Sequence, residues 1–268
     1  MKIKFIFSLL LILIAKSSFS QTEKAEFRTT MIFKTLEARQ GVAVDANYFY
    51  TVNSGGIGKY DKKTGSLILE REDTTGKIIH LDGGVVIKDK IYCAHSNYPG
   101  IPMTSSIEIF SVKDLKHTGS HSFGIKYGSC VWADFYNNYW WVCFANYEQF
   151  KKDTGKGTEW TVLVRFDSDW NDLESWVFPQ DVISEIKPMS ASGGSWGPDG
   201  KLYVTGHDSA KVYILKLPLS GSILEYIQTA KIDSHGQGIA WDRTQKNMLY
   251  GIIRKDNSVV VSELIPGM

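Results

Sequence analysis

A short motif recurs five times along this chain at a nearly constant spacing. Each copy has a small residue, an apolar stretch and an Asp, and a second stretch rich in Tyr or Trp follows it. The copies begin at Gly41, Gly84, Ser129, Gly194 and Gly238, so the intervals between them are 43, 45, 65 and 44 residues. A unit of about 40–45 residues that contains several short strands is typical of β-propeller blades. The repeat therefore predicts an all-β propeller.

Each interval contains short segments with the alternation of polar and apolar residues that antiparallel strands have. The composition agrees, because 8 Trp, 13 Tyr, 13 Phe and 24 Gly suit many strands joined by tight turns. The 65-residue interval is interpreted as one blade with insertions at residues 147–160 and 179–190. We therefore predict blades of four antiparallel strands.

The number of blades follows from how the ring closes. After Gly238 only 30 residues remain, which is enough for three strands but not for four. Residues 26–36 (EFRTTMIFKTL) form a strand that belongs to no other blade. Placed outermost on the last blade, this strand closes the ring and covers an exposed edge. Five blades are predicted, since a sixth would need roughly 40 more residues.

The first twenty residues have the features of a secretory signal peptide. Lys2 and Lys4 precede an apolar run at residues 5–15, and Ser18 and Ser20 supply small residues before Gln21. We therefore predict a signal peptide at residues 1–20, a single propeller domain at residues 21–268, and a periplasmic or secreted location.

Charge and hydropathy limit the partners that we expect. Removing Lys2, Lys4 and Lys16 with the signal peptide lowers the formal net charge from +1 to −2. A chain of that charge does not suit nucleic acid, whose binding needs clustered basic residues. No later segment is apolar over the roughly 20 residues that a membrane span requires. We expect a monomer with a small-molecule or saccharide ligand, no nucleic acid and no membrane span.

The chain has three cysteines, of which two invite a closer look. A hairpin turn at residues 134–139 would place Cys130 directly opposite Cys143 on neighbouring strands. A disulfide between them is one interpretation. The other, commoner in general, is that both are buried thiols that pack as small apolar residues.

Four of the six histidines occupy equivalent positions in the repeat. His80 and His235 precede a first strand, while His95 and His207 end a second strand. In a propeller these positions meet at one mouth of the central channel. Neutral imidazoles there suit a divalent metal ion or acid–base catalysis. We predict the four as catalytic residues or metal ligands, with Asp82 as an acid–base or orienting group; the alternative is that each histidine makes one backbone hydrogen bond.

Six further residues reach the same mouth and are predicted to bind substrate: Arg39, Gln40, Asn97, Tyr98, Gln237 and Arg254. Arg39 and Arg254 lie in the first and last blades, which adjoin in a closed ring, so together they would recognise a carboxylate or sulfate group. Surface salt bridges are the alternative for both. Tyr98 suits stacking on a sugar or aromatic ring.

One motif matches a catalytic signature but lies in the wrong structural context for it. Residues 193–197 match G-x-S-x-G, the nucleophile elbow of serine hydrolases. That elbow requires a strand, a sharp turn and a helix. Here Pro198, Asp199 and Gly200 form a β-turn between two predicted strands, which disfavours a serine hydrolase.

Four strings carry a resemblance to a known family: RQGVAVD (39–45), IYCAHSNYP (91–99), GGSWGPDGKLYVTGHD (193–208) and GQGIAWD (236–242). They resemble a family of small exported bacterial β-propeller proteins, some of which carry the label "cycloisomerase". The resemblance covers most of the chain after residue 20. It implies the propeller fold, and the label adds isomerase chemistry to the reactions to be considered.

Two function classes stay open at this point. The first is an exported enzyme of lyase, isomerase or hydrolase type that acts on a small anionic or carbohydrate-derived substrate at the histidine-rich channel mouth. The second is a non-catalytic ligand-binding or interaction propeller. Histidines that converge favour the first class, and histidines that point apart favour the second.

Overall fold

The computed structural model describes residues 24–265, which consist almost entirely of β-strands. The predicted signal peptide at residues 1–20 lies outside the described residues, as do the two ends of the predicted domain. Within residues 24–265, no helix has the length and apolar character that a membrane crossing requires.

Twenty strands form five four-stranded sheets, in agreement with the predicted blades. The chain begins with β1 (Glu26–Lys34). The first blade contains β2 (Gly41–Val44), β3 (Tyr48–Val52), β4 (Gly56–Asp61) and β5 (Leu67–Glu72). The second contains β6 (His80–Ile87), β7 (Lys90–Ser96), β8 (Ser105–Ser111) and β9 (His117–Gly124).

The third blade contains β10 (Ser129–Tyr136), β11 (Tyr139–Ala145), β12 (Val162–Phe166) and β13 (Asp172–Val177). The fourth contains β14 (Gly193–Trp196), β15 (Leu202–Thr205), β16 (Lys211–Lys216) and β17 (Glu225–Lys231). The fifth contains β18 (Ala240–Trp241), β19 (Met248–Ile253) and β20 (Ser258–Ile265), together with β1.

The first strand of each blade lines the centre of the ring. In order around the ring, β2 neighbours β6, β6 neighbours β10, β10 neighbours β14, β14 neighbours β18, and β18 returns to β2. Every strand pairing within the blades is antiparallel. The structure is therefore a closed five-bladed β-propeller, as predicted.

The closing strand lies where the sequence places it. β1 pairs antiparallel with β20, from Glu26 opposite Ile265 to Lys34 opposite Ser258. This pairing gives the fifth blade its outermost strand, so the two ends of the described chain are joined in one sheet. The prediction for residues 26–36 is confirmed.

Aromatic side chains fill the spaces between neighbouring blades. Phe49 of β3 stacks on Tyr60 at 5.1 Å and on Phe33 of β1 at 4.9 Å, so the first and fifth blades share one cluster. Burying such large rings supplies much of the hydrophobic stabilisation of a fold whose sheets are only four strands wide. This is why the repeats are rich in Tyr, Phe and Trp.

Three glycines bring the inner strands into backbone contact near the ring centre. A Cβ atom on Gly238 would lie 2.8 Å from Cα of Gly41 and 3.0 Å from Cα of Gly83. A Cβ atom on Gly194 would lie 2.4 Å from the ring of Trp132. A side chain larger than hydrogen does not fit at these glycine positions. The channel is consequently narrowed between its two ends.

The two insertions of the third blade contain both α-helices of residues 24–265 and two of the three 3-10 turns, the third being Arg254–Asp256 in the fifth blade. The first insertion includes 3-10 turns at Glu148–Phe150 and Thr158–Trp160 on either side of α1 (Lys151–Thr154), and the second includes α2 (Gln180–Ile186). They contact each other, because Thr158 Oγ1 donates to the carbonyl oxygen of Met189 at 2.6 Å.

All three cysteines are buried and unbonded. The expectation that Cys130 lies directly opposite Cys143 is wrong by one residue. Tyr136 pairs with Tyr139, so the hairpin turn is tighter than expected and Cys143 lies opposite Trp132. A bulge between Cys130 and Trp132 then shifts the register by one residue, and Cys130 pairs with Phe144. An extra residue in one strand has this effect on every pair beyond it.

Candidate functional site

The starts of the inner strands and the ends of the second strands meet at one mouth of the channel. Arg254, which follows β19, connects the groups found there. Its NH1 lies 3.2 Å from Nε2 of His207. Its positive charge adds to the burial that lowers the pKa of His80 and opposes the burial that raises the pKa of Asp82. The fold therefore brings residues from the second, fourth and fifth blades together.

Asp82 is the most unusual group at this mouth. Its side chain is 6% exposed, and its Oδ2 atom has no hydrogen-bond partner among the described residues. Burial raises the pKa of Asp82 well above its usual value, against the opposing effect of Arg254. A carboxyl group in such surroundings retains its proton to an unusually high pH.

A bulge in β6 places Asp82 in this position. Leu81 pairs with His95, but the next pair is Gly84 with Cys93, so Asp82 and Gly83 share one step of the partner strand. Bulges often re-aim a side chain near functional sites. The repeat alone could not reveal this irregularity, since it concerns the pairing of two strands and not their composition.

His80 lies beside this carboxyl group. Its Nε2 atom is 3.6 Å from Oδ2 of Asp82, which is longer than a hydrogen bond. Burial lowers the pKa of His80 to about 4, with help from the charges of His95 and Arg254. At this distance the two side chains could form an ion pair. The lowered pKa of His80 and the raised pKa of Asp82 both favour the uncharged forms, however, so the two groups form a neutral pair.

The other ring nitrogen of His80 faces the first blade. Nδ1 is 3.4 Å from Oγ of Ser54, and the same oxygen accepts a 3.0 Å hydrogen bond from Nε2 of Gln40. Gln40, predicted to bind substrate, thus acts on the site through Ser54.

His207 and Arg254 form a second pair at the mouth. Nδ1 of His207 contacts the carboxylate of Asp208, so Nε2 is free to accept from Arg254. Gln237, another predicted binding residue, donates from Nε2 to the backbone oxygen of His207 at 2.8 Å. The side chain of Gln237 therefore holds the histidine loop.

Two of the predicted site residues hold backbone segments near the mouth. His95 accepts a hydrogen bond from the backbone N–H of Ile79 at 3.0 Å. Asn97 donates to the carbonyl oxygen of Pro102 at 3.0 Å and accepts from the N–H of Thr104 at 2.7 Å, which closes its own loop.

Two other predicted site residues stand apart from His80 and Asp82. Arg39 is exposed, and its charge opposes the rise in the pKa of Glu37 that burial and the neighbouring carboxylate of Glu72 cause. His235 is exposed, and its backbone N–H donates to the carbonyl oxygen of Ile252 at 2.9 Å. The structure brings neither residue into contact with Arg254.

Among the described residues, the side chains that are arranged as metal ligands do not include the predicted histidines. Within residues 24–265, the group of three potential ligands with donor atoms within 4.8 Å of one another is Glu37, Glu70 and Glu72, at the rim of the first blade. His80 and Asp82 offer two ligand atoms but no third from the other histidines. A metal ion held by the histidines stays a prediction.

Aromatic rings cover the site. The ring of Tyr98 lies 5.2 Å from that of His80 and 5.2 Å from that of Tyr147, which is buried. The ring of Phe150 makes an edge-to-face contact with that of Tyr98 at 5.9 Å. Nε2 of Gln149 donates a hydrogen bond to the Tyr98 hydroxyl at 2.9 Å. The first insertion of the third blade therefore reaches across to the second blade above Asp82.

The pKa of Tyr147 is also raised, first by burial and then by the charge of Asp82. The sequence predicts this residue at the start of an insertion that overhangs the mouth, with a ring that suits stacking on a sugar or aromatic face. The unusual length of the third repeat was the signal that something covers the mouth.

The fold and the site define a five-bladed β-propeller whose channel mouth contains a buried carboxyl group with one unpartnered oxygen atom, beside an imidazole with a lowered pKa. No known family model matches this chain, and no curated protein sequence does so either. Among solved structures, the one titled "Structure of U3-55K" is similar at 8% sequence identity and a TM-score of 0.46, over 83% of this chain and 80% of that chain. A likeness of this degree says nothing about function. The resemblance to small exported propellers and the cycloisomerase label stay predictions.

Proposed function

We propose that this protein is an exported enzyme of lyase, isomerase or hydrolase type that moves a proton on a small anionic or carbohydrate-derived substrate at the mouth above Asp82. One observation carries the proposal. The buried Oδ2 atom of Asp82 has no partner and lies 3.6 Å from Nε2 of His80, while the pKa values of the two groups are shifted in opposite directions.

Those shifts assign the roles. The raised pKa of Asp82 favours its protonated form, which suits a general acid, and the lowered pKa of His80 favours its neutral form, which suits a general base. Ser54 Oγ has two lone pairs, so it can accept from both Gln40 Nε2 and His80 Nδ1. In that tautomer the unprotonated Nε2 of His80 faces Asp82, ready to take a proton from a substrate atom.

Arg254 supplies the substrate's anchor. Its guanidinium is held by His207 and lies close enough to Asp82 and His80 to act on the pKa values of both. An anionic group of the substrate bound to Arg254 would sit beside the acid–base pair. Tyr98 and Tyr147 then cover the reacting atoms and exclude water, which strengthens electrostatic interactions in the site.

Proton exchange with solvent tests the proposal without knowledge of the exact substrate. Aldonic acids, uronic acids and sugar lactones are incubated with the protein in D2O, and NMR follows deuterium incorporation and lactone opening. We expect turnover of at least one compound, reduced about 10²–10⁴-fold in D82N and in H80Q. H235Q is the matched control and should keep the wild-type rate. Turnover that survives in both D82N and H80Q would contradict the assignment.

A binding propeller is the second candidate. The side chains of three predicted site residues form hydrogen bonds with backbone groups: His95, Asn97 and Gln237. These residues therefore have structural roles, which favours a binding protein over an enzyme. If the protein only binds its ligand, a compound added in the same NMR experiment would shift the signals of Tyr98 and Arg254 but would itself remain chemically unchanged. Metal analysis of the purified protein tests the remaining prediction, a divalent ion held by the four histidines His80, His95, His207 and His235.

A further inference from the structure

A second cavity lies at the opposite end of the channel, where the inner strands end. It has a volume of about 260 Å³ and is lined by Val86, Ala133, Asp134, Ser195, Ala240 and Arg243, among others. Val86 comes four residues after Asp82 on β6, which is about 10 Å at the rise of a strand because Asp82 and Gly83 share one step of the partner strand. The backbone contacts of Gly41, Gly83 and Gly238 narrow the channel between the two ends. This cavity is thus separate from the mouth above Asp82.

The acidic residue of this cavity is fully occupied. Asp134 is buried, and its Oδ2 atom accepts from Oγ of Ser195 at 2.9 Å, from the N–H of Trp196 at 2.7 Å and from NH2 of Arg243 at 2.7 Å. Its Oδ1 atom accepts from the N–H of Phe135 at 2.8 Å. Asp134 therefore has little capacity left for a ligand, and its role is to hold other groups in place.

Two hydrogen bonds hold the guanidinium of Arg243 in place and leave some of its N–H donors free. One hydrogen bond runs from NH2 to Asp134 and another from NH1 to the carbonyl oxygen of Trp196. A guanidinium has five N–H donors, so others remain. The side chain of Arg243 is 40% exposed while that of Asp134 is 2% exposed, so the charge that faces the cavity is positive. A cation fixed in this way loses little freedom when it binds an anion.

We propose that this cavity binds a small organic acid through a carboxylate that accepts from Arg243. The planar donors of a guanidinium match a carboxylate, which can accept two hydrogen bonds from them. Asp134 already neutralises part of the charge, so a singly charged acid fits better than a polyanion. Val86, Ala133 and Ala240 provide an apolar wall for the hydrocarbon part.

The cavity also explains Ser195 of the G-x-S-x-G motif. Its hydroxyl donates to Asp134, and no histidine of the described residues contacts it, so it serves the position of Arg243. This inference does not rest on the proposed enzymatic function.

Butyrate, glucose and inorganic phosphate are suitable probes, with binding followed by NMR of the backbone amides and the Arg243 side chain. We expect butyrate to shift Ala133, Ala240 and Arg243 and glucose to leave them unchanged. R243K should weaken butyrate binding about tenfold or more, since Lys lacks the planar fork of donors. R71K is the control, because Arg71 is exposed on the outer strand of the first blade.

A240V, which fills the cavity and leaves Arg243 in place, provides a second variant in case R243K fails to fold. It should also weaken butyrate binding. The proposal is overturned if butyrate causes no shifts in the wild-type protein, if both variants bind as the wild type does, or if phosphate binds more tightly than butyrate.

Discussion

The backbone N–H of Ile79 donates a 3.0 Å hydrogen bond to Nε2 of His95. Nε2 must therefore be unprotonated, and the neutral ring carries its proton on Nδ1, where it donates to Oγ of Ser106 at 3.0 Å. Ser106 in turn donates to Glu108 at 2.6 Å. Because Ile79 directly precedes His80, this chain of hydrogen bonds fixes the start of β6 and with it the candidate acid–base pair.

Replacing His95 should therefore cost stability. H95A leaves the N–H of Ile79 without its acceptor and removes the donor to Oγ of Ser106, which keeps only its bond to Glu108. We expect a loss of about 1–3 kcal/mol in the free energy of unfolding. Denaturant unfolding measures this loss. H235A should change stability by less than about 0.5 kcal/mol, since His235 is exposed. Equal losses in the two variants would show that His95 has no special part in holding β6.

The charge of Arg254 should be visible in the titration of His80. Its positive charge disfavours protonation of His80, so R254L should raise the pKa of His80 above the wild-type value of about 4. NMR of the imidazole signals against pH measures this shift. R39L is the control and should leave His80 unchanged, because Arg39 acts on Glu37. A wild-type pKa near 6.5 would contradict the burial of His80.

Asp82 should make stability depend on pH in a predictable direction. Its native pKa is raised above the unfolded value near 3.8, so between these two values the native state binds more protons than the unfolded state. Stability contributed by this group is present below pH 3.8 and is lost as the pH rises through the native pKa.

D82N removes this dependence, and we expect it to be more stable than the wild type at pH 8 and nearly equal at pH 4. Within the window the difference should grow by up to about 1.4 kcal/mol per pH unit. Unfolding by denaturant across this pH range measures it. A difference that stays constant with pH would mean that Asp82 titrates normally.

The cysteines should resist thiol reagents in the native protein. Burial raises the pKa values of Cys93, Cys130 and Cys143, and a thiol that is both buried and protonated reacts slowly. In denaturant all three should react. A disulfide between Cys130 and Cys143 would leave only one reactive thiol. S168C places an exposed thiol on the third blade and should react rapidly in the native state.

The fold could be predicted because its signals repeat. Five copies of one motif fix the number of inner strands, and the shortage of residues after Gly238 requires a strand from elsewhere to complete the last blade. The closing strand is predicted at residues 26–36 and observed at Glu26–Lys34, so the two differ only at one end.

The sequence predicts where the site lies but not how its side chains are oriented. Equivalent repeat positions bring His80, His95 and His207 to one mouth, but the direction of each side chain depends on local register, which one extra residue reverses. The bulge at Asp82 and the packing of Tyr98 against Tyr147 depend on contacts between strands and between blades. These contacts have no counterpart in the spacing of a single repeat.

The pairing of β1 with β20 also has a consequence for how fast the protein folds. Glu26 and Ile265 lie opposite each other although 238 residues separate them along the chain. Closing so large a loop costs entropy before any contact repays it, and folding rates fall as contacts become more distant in sequence. Four blades can each assemble from neighbouring residues, but the fifth must wait for the opposite terminus. Joining the two ends by circular permutation, with the new ends in the exposed turn at residues 168–169, would make this pairing local and should speed refolding.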